Sequence, residues 1–264
     1  MNDLLKISIE AAINAGKKIL EVYENEFEVE TKTDNSPLTE ADKRSHHAIK
    51  DALEPLNIDL LSEEGKLLSY EERKNWKKFW LIDPLDGTKE FIKRNGEFTV
   101  NIALVENGYP VAGVVHVPVT GKTYYGSAEA GSFAFTYDPH SSASIEDYIN
   151  SASKLPDAQA PAVYTVVASR SHNTPETENF IEEKRKQHGQ VECISSGSSI
   201  KLCLVAEGKA NVYPRLAPTM EWDTAAGHAV AKFAGCNVYN SETGKELEYN
   251  KENLLNPWFV VERN

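Results

Sequence analysis

The sequence predicts a mixed α/β protein in two parts, an α+β layer on an antiparallel sheet followed by a smaller α/β layer. Two patterns predict it: helices precede a run of strands in the first half, and strands alternate with helices in the second. A third observation is consistent with both. At 264 residues, 41% hydrophobic and 26% charged, the chain has material for a large core and shows no internal repeat or low-complexity tract.

In the first part, Leu5, Ile9, Ala12, Ile13, Gly16, Ile19, Leu20 and Tyr23 recur at helical spacing, predicting an amphipathic helix over residues 4–23 that covers a sheet. Thr39 can cap a second helix, which runs through Ala48, Ile49, Ala52 and Leu53 until Pro55 stops it. Strands are expected at 58–62, 79–83, 98–106, 111–118 and 122–127, with hairpin turns at Asn107-Gly108 and Thr120-Gly121. Residues 137–161 are rich in Ser, Ala, Asp and Pro, with one short helix at 145–150. The subdomain boundary falls there, dividing 1–155 from 156–264. Beyond it, strands at 164–169, 191–194 and 210–213 alternate with helices at 175–188, 199–208 and 224–234, giving a helix-sheet-helix layer.

The net charge of -12 argues against a nucleic-acid or anionic-membrane surface, which clustered Lys and Arg would serve. Any phosphate must be met by local positive charge, and a bound metal supplies that without a basic surface. The three cysteines are odd in number and lack Cys-x-x-Cys spacing, so they read as reduced core thiols of a cytoplasmic protein. The start of the chain lacks the basic and apolar regions of a signal peptide. No apolar run approaches the roughly 20 residues of a membrane span. The expected location is the cytoplasm, with peripheral membrane attachment and oligomeric state left open.

Chemistry concentrates in Ile82-Asp83-Pro84-Leu85-Asp86-Gly87-Thr88-Lys89-Glu90. The run 79–82 reads as a buried strand, so Asp83 emerges at its end and Pro84 fixes a turn bringing Asp86 back to the same point. Two hard oxygen donors suit Mg²⁺, which binds one or two carboxylates at roughly 2.0–2.1 Å and leaves its other positions to water and phosphate. Gly87 admits an anion close to the backbone, and the Thr88 hydroxyl can position a water or a phosphate oxygen. Glu63-Glu64 also follows a strand, the same placement of an acid at a strand exit, although adjacent acids also suit a solvated turn. Asp223 reads as the N-cap of the Ala-rich helix, a position from which it can also ligate a metal. Asp42, three residues after Thr39, favours the helix dipole whatever else it does. Gly197-Ser198-Ser199 before Lys201 reads as a helix start that can accept an anion, or as an ordinary helix start. Arg215 can fork onto a phosphate or pair with a surface acid, and His172 is a loop histidine or a ligand contact.

Taken together, Glu63-Glu64, Asp83-Pro84-Leu85-Asp86-Gly87-Thr88 and Trp222-Asp223-Thr224-Ala225-Ala226-Gly227 resemble the lithium-sensitive, Mg²⁺-dependent phosphomonoesterase superfamily of inositol monophosphatases and fructose bisphosphatases. Within it, residues 87–101 and 197–201 are similar to the bacterial 3'(2'),5'-bisphosphate nucleotidases. Lys89-Glu90 stands where the inositol enzymes typically have Thr-Asn. The resemblance spans nearly the whole chain and implies a five-layered α-β-α-β-α sandwich that removes the 3'-phosphate of 3'-phosphoadenosine 5'-phosphate to give AMP. It implies two or three Mg²⁺ held by Glu63, Asp83, the Leu85 carbonyl, Asp86 and Asp223, with Glu64 outside the ligand set. Asp42 and Thr88 would then accept and orient a proton. Of the residues so implied, Glu63, Leu85, Asp86, Gly87, Thr88 and Asp223 also border the substrate, joined by His172, Ser198, Lys201 and Arg215. The competing readings are an inositol monophosphatase or fructose-1,6-bisphosphatase, and a non-catalytic metal- or nucleotide-sensing protein on the same fold.

Overall fold

The computed structural model describes residues 3–31, 37–66, 68–169 and 174–263. The chain opens with α1 (Asp3–Tyr23), a short hairpin of β1 (Val29–Thr31) and β2 (Pro37–Thr39), and α2 (Glu40–Leu53). A seven-stranded sheet follows: β3 (Asp59–Ser62), β4 (Lys78–Asp86), β5 (Thr99–Glu106), β6 (Tyr109–His116), β7 (Lys122–Ser127), β8 (Gly131–Thr136) and β9 (Ser153–Lys154), in spatial order 3-4-5-6-7-8-9. Short helices α3 (Tyr70–Arg73), α4 (Thr88–Ile92) and α5 (Ile145–Asn150) lie in its connections. The second half supplies β10 (Tyr164–Ser169), α6 (Pro175–His188), β11 (Val191–Ser196), α7 (Ile200–Glu207), β12 (Val212–Arg215), α8 (Glu221–Phe233), β13 (Cys236–Asn240) and β14 (Phe259–Arg263), with strand order 11-10-12-14-13.

Both faces of the larger sheet are buried, as the alternation in β4 shows. Trp80 and Ile82 face α1 and α2 in one core cluster, whereas Phe79 and Leu81 face α7, α8 and the smaller sheet in another. Outside the smaller sheet, Ile181 of α6 packs with Val166, Val212 and Val260. The order of layers is therefore helix pair, sheet, helix pair, sheet, helix, the five-layered α-β-α-β-α sandwich expected. The central pair sits close because the strand beneath it is stripped of side chain: a Cβ on Gly113 of β6 would lie 2.6 Å from the Ala226 carbonyl and 2.8 Å from the Ala229 Cβ. That approach fixes the height of α8 above the sheet, and so of whatever its first turn carries.

The first helix, the Thr39-capped second helix and the Asn107-Gly108 turn lie as expected, the last with φ of 50° and 84°. Six of the described strands, β1, β2, β8, β9, β13 and β14, lie outside the ranges that the sequence predicts. β14 pairs with both β12 and β13, a non-local register that periodicity does not encode. The first sheet is not wholly antiparallel, since β3 runs parallel to β4. Cys203 and Cys236 are buried, but Cys193 is exposed because it lies on the edge strand β11. The larger sheet ends at Lys154 and the smaller begins at Tyr164, and we propose the division at 155/156 on that ground, with one core cluster continuous across it. Among the described residues, no helix is long and apolar enough to cross a membrane.

Candidate metal centre and active site

The site forms where the C-terminal ends of β3 and β4 meet the N-termini of α7 and α8. β4 does not end at Asp83 in a turn, as the sequence suggested, but continues to Asp86 through a bulge. Asp83 pairs with Asn101 and Asp86 with Thr99, so three residues on β4 span two on β5. In a regular strand, side chains three apart point to opposite faces; the extra residue restores them to the same face. Ser45 pins the bulge by donating to the Pro84 carbonyl at 2.6 Å, and Leu85 turns its side chain into the core beneath α1 and α2.

Glu63 follows Ser62, which is in parallel register with Ile82, so Glu63 stands level with Asp83 on the neighbouring strand; its N–H donates to the Ile82 carbonyl at 3.1 Å. Asp223 enters from the opposite side. It is not the N-cap but the third residue of α8, which begins at Glu221, and its Oδ2 accepts from the Met220 N–H at 2.9 Å. An acid in the first turn favours the helix dipole just as a cap does. One carboxylate oxygen each of Glu63, Asp83 and Asp223 lies within 4.8 Å of the other two.

Asp86 stands beside this trio. Its Oδ2 accepts from the Ser199 N–H at 2.6 Å, Asn101 Nδ2 at 3.3 Å and Thr99 Oγ1 at 3.5 Å. Burial, then the charges of Glu63, Asp86 and Asp223, push the Asp83 carboxyl well above the usual carboxylate range. Burial, then Asp86 and Glu63, do the same to Asp223. Asp86 rises to about 6 through burial, held back chiefly by Lys201 and the Ser199 N–H. Such an arrangement is unfavourable unless positive charge enters it, and an all-oxygen donor set fits a hard divalent cation.

The sign of that strain is measurable. A carboxyl whose pKa is raised by folding binds more protons folded than unfolded, so stability increases as pH falls through the folded value and is lost as pH rises. Buried His116 and His228, whose pKa values burial lowers, act with the opposite sign, so the acids are read as a difference: in chelator, a change from pH 7.5 to pH 5.5 is expected to favour wild type over Asp83→Asn by several degrees of melting temperature. Mg²⁺ should raise the melting temperature more at the higher pH. Thermal scans of both proteins across that range, with and without Mg²⁺, check it.

On the far side of Asp83, Thr88 opens α4 behind Gly87, whose φ of +94° a side chain would strain. Thr88 Oγ1 lies 3.3 Å from Asp42 Oδ1 and 3.4 Å from the Leu85 carbonyl. Asp42 is buried, and its Oδ2 accepts from the Thr39 N–H at 2.7 Å and Oγ1 at 2.6 Å in a capping box. The capping and hydroxyl-accepting roles use different oxygens.

The inositol monophosphatase family profile matches residues 1–260. The chain belongs to the inositol monophosphatase family. A relative from Escherichia coli K12 named 3'(2'),5'-bisphosphate nucleotidase CysQ is 46% identical over 255 residues, 95% of this chain and 96% of its own. The crystal structure of CysQ from Bacteroides thetaiotaomicron, described as a bacterial member of the inositol monophosphatase family, superposes with a TM-score of 0.90 at 51% identity, covering 99% of this chain and 97% of that one. An inositol monophosphatase from Anabaena superposes with a TM-score of 0.69 at 24% identity, over 99% of this chain and 91% of that one, and shares the fold.

In this inositol monophosphatase family member a cavity of about 130 Å³ adjoins the acids, lined by Asp86, Asp223, Ser198, Lys201, Tyr213 and Arg215. The buried Lys201 ammonium donates to the Ser196 and Ser198 carbonyls at 3.2 and 2.6 Å. Burial draws its pKa down to about 8, against the opposing pull of Asp86. Ser198 takes a left-handed φ of 41°, which accompanies the turning of its carbonyl toward Lys201. Arg215 is the last residue of β12 rather than beyond it, and its Nη2 donates to the Pro218 carbonyl at 2.8 Å. His172 lies outside the described residues.

Thr99 and Asn101, which hold Asp86, are not among the residues the sequence singles out, and the anion that the Ser199 helix start accepts is Asp86 itself. A signal was present: Thr99 and Asn101 alternate with Val100 and Ile102 in a strand where all four are buried, and buried polar side chains need partners.

Proposed function

We propose that the chain is a Mg²⁺-dependent 3'(2'),5'-bisphosphate nucleotidase that hydrolyses the 3'-phosphate of 3'-phosphoadenosine 5'-phosphate to AMP and phosphate. The observation that carries this is the convergence of Glu63, Asp83 and Asp223 beside a cavity bearing Lys201 and Arg215. The relatives named above supply the substrate class. Glu63, Asp83, Asp86, Asp223 and the Leu85 carbonyl would hold two or three Mg²⁺. Bound there, Mg²⁺ supplies the positive charge that a phosphoryl transfer requires and makes water easier to deprotonate.

The remaining work falls to the chain itself. Thr88 orients the attacking water, and the proton passes by way of its hydroxyl to Asp42 Oδ1, whose partner oxygen is held by Thr39. Gly87 keeps the path to the phosphate clear. Lys201 anchors the loop 196–199, while Arg215 and Ser198 meet the second phosphate. Thr88 and Asp42 favour an enzyme over a sensing protein, because a pure binder has no use for a proton acceptor behind a hydroxyl.

The test is phosphate release from 3'-phosphoadenosine 5'-phosphate, inositol 1-phosphate and fructose 1,6-bisphosphate side by side, with and without Mg²⁺. The expected order places the nucleotide first and no turnover without metal. Preference for either sugar phosphate would move the chain to a rival reading. Arg215→Met is expected to raise KM for the bisphosphate about 10–100-fold, the worth of a charge-assisted hydrogen bond, and to change KM for a simple monophosphate ester little. Equal effects on both substrates would remove Arg215 from the specificity pocket.

A further inference from the structure

Residues 250–252, in the long connection between β13 and β14, are held between two buried charges that the reaction does not use. On one side the Arg73 guanidinium, 2% exposed, donates to Asn250 Oδ1 at 2.8 Å, the Lys251 carbonyl at 2.7 Å and the Glu252 carbonyl at 2.9 Å; Asn250 Nδ2 returns a bond to the Arg73 carbonyl at 2.8 Å. On the other side the fully buried Glu221 carboxylate accepts from the Asn250 and Lys251 N–H groups at 2.6 and 3.1 Å, and from Lys251 Nζ at 2.5 Å. The cation takes the Lys251 and Glu252 carbonyls and the anion takes the Asn250 and Lys251 amides, so Lys251 has its N–H and its C=O each held by a buried charge. Asn250 adopts a φ of +67° in this segment.

The two anchors belong to different parts of the fold. Arg73 sits on α3, in the connection that leads from Glu63 to β4. Glu221 is the first residue of α8, two before Asp223. The same connection grips the start of α8 again, through Glu221 N–H to the Leu254 carbonyl at 2.9 Å, Asn256 N–H to the Thr219 carbonyl at 2.8 Å and Asn256 Nδ2 to the Met220 carbonyl at 2.8 Å.

We infer that Arg73 and Glu221, acting through residues 250–252, are positioning residues that hold Asp223 against Glu63 and Asp83 and thereby set the metal affinity of the centre. The inference rests on the metal-centre reading above. A free α8 N-terminus would relieve the repulsion among the three close carboxylates by moving Asp223 away, and the clasp opposes that movement in the metal-free protein. It keeps the site preorganised, so that Mg²⁺ binding does not first have to assemble it.

The experiment measures Mg²⁺ binding by calorimetry, together with the Mg²⁺-induced shift in melting temperature, for wild type, Arg73→Met, Asn250→Ala, Glu221→Gln and Asp83→Asn. Loss of the clasp is expected to raise the Mg²⁺ Kd about 10–100-fold, the range for partners that orient metal ligands. The rate should recover toward wild type at saturating Mg²⁺. Asn250→Ala and Glu221→Gln remove less of the clasp than Arg73→Met and decide the matter should that variant not fold. Folded clasp variants with wild-type Mg²⁺ Kd would overturn the inference and leave the clasp a purely structural device. Wild-type binding by Asp83→Asn would overturn the metal-centre reading instead.

Discussion

Asp83→Asn is expected to lower kcat by about 10³-fold or more while leaving the metal-free protein at least as stable as wild type. The rate loss follows from the centre's charge. Metal-borne stabilisation of a phosphoryl transition state is worth several kcal/mol, and about 4 kcal/mol corresponds to about 10³. The stability result follows from the same charge with opposite sign. Asp83 is 1% exposed, faces Glu63, Asp86 and Asp223, and resists ionisation, so a neutral isostere relieves repulsion. The Asn carbonyl can still accept from the Leu85 N–H, as Asp83 Oδ1 does at 3.0 Å. Steady-state kinetics and thermal melts in chelator check both halves. Retained Mg²⁺-dependent turnover would remove Asp83 from its assigned role, and a collapsed melt would show a structural duty beyond the centre.

Thr88→Val is expected to lower kcat about 10²–10³-fold with little change in KM, the scale of a lost general base. Thr88→Ser keeps the hydroxyl and should recover most of the rate. Asp42→Asn has the same kinetic consequence by a different route. Its two oxygens serve Thr88 on one side and Thr39 on the other, and an amide offers a single acceptor. That variant should also lose about 1 kcal/mol of helix-cap stability. If Thr88 and Asp42 act as a unit, the double variant is no slower than the worse single one. Additive losses in kcat would separate the pair.

The balance of legible and hidden features follows from which interactions are local. Thr39 and Asp42 form their capping box within four residues, so sequence spacing announces it. Asp83 and Asp86 were visible as an acidic pair, but the means by which they face one way was misread: an extended bulge does it, because β5 imposes the register from outside the motif. Asp223 was found through its neighbours and placed three residues out of role. The start of α8 combines a local bond, Asp223 Oδ2 accepting from the Met220 N–H, with the connection 250–256 folding back on it. Ser199, Thr99 and Asn101 come together from elements about a hundred residues apart, and no spacing rule reaches that far.

By itself the sequence determined which residues are chemically competent: the acids at strand exits, the hydroxyl after Gly87, the cations of the second half, and the helical and alternating periods that bury the core. It did so because side-chain chemistry and backbone propensity are properties of short segments. The tertiary structure alone decided which of these acids share a centre, which oxygen of Asp42 and of Asp86 is already occupied, and that a buried Arg73 and Glu221 face each other across residues 250–252. Those are matters of strand register and of helices brought close by Gly113, and they arise when distant segments exclude water from between them.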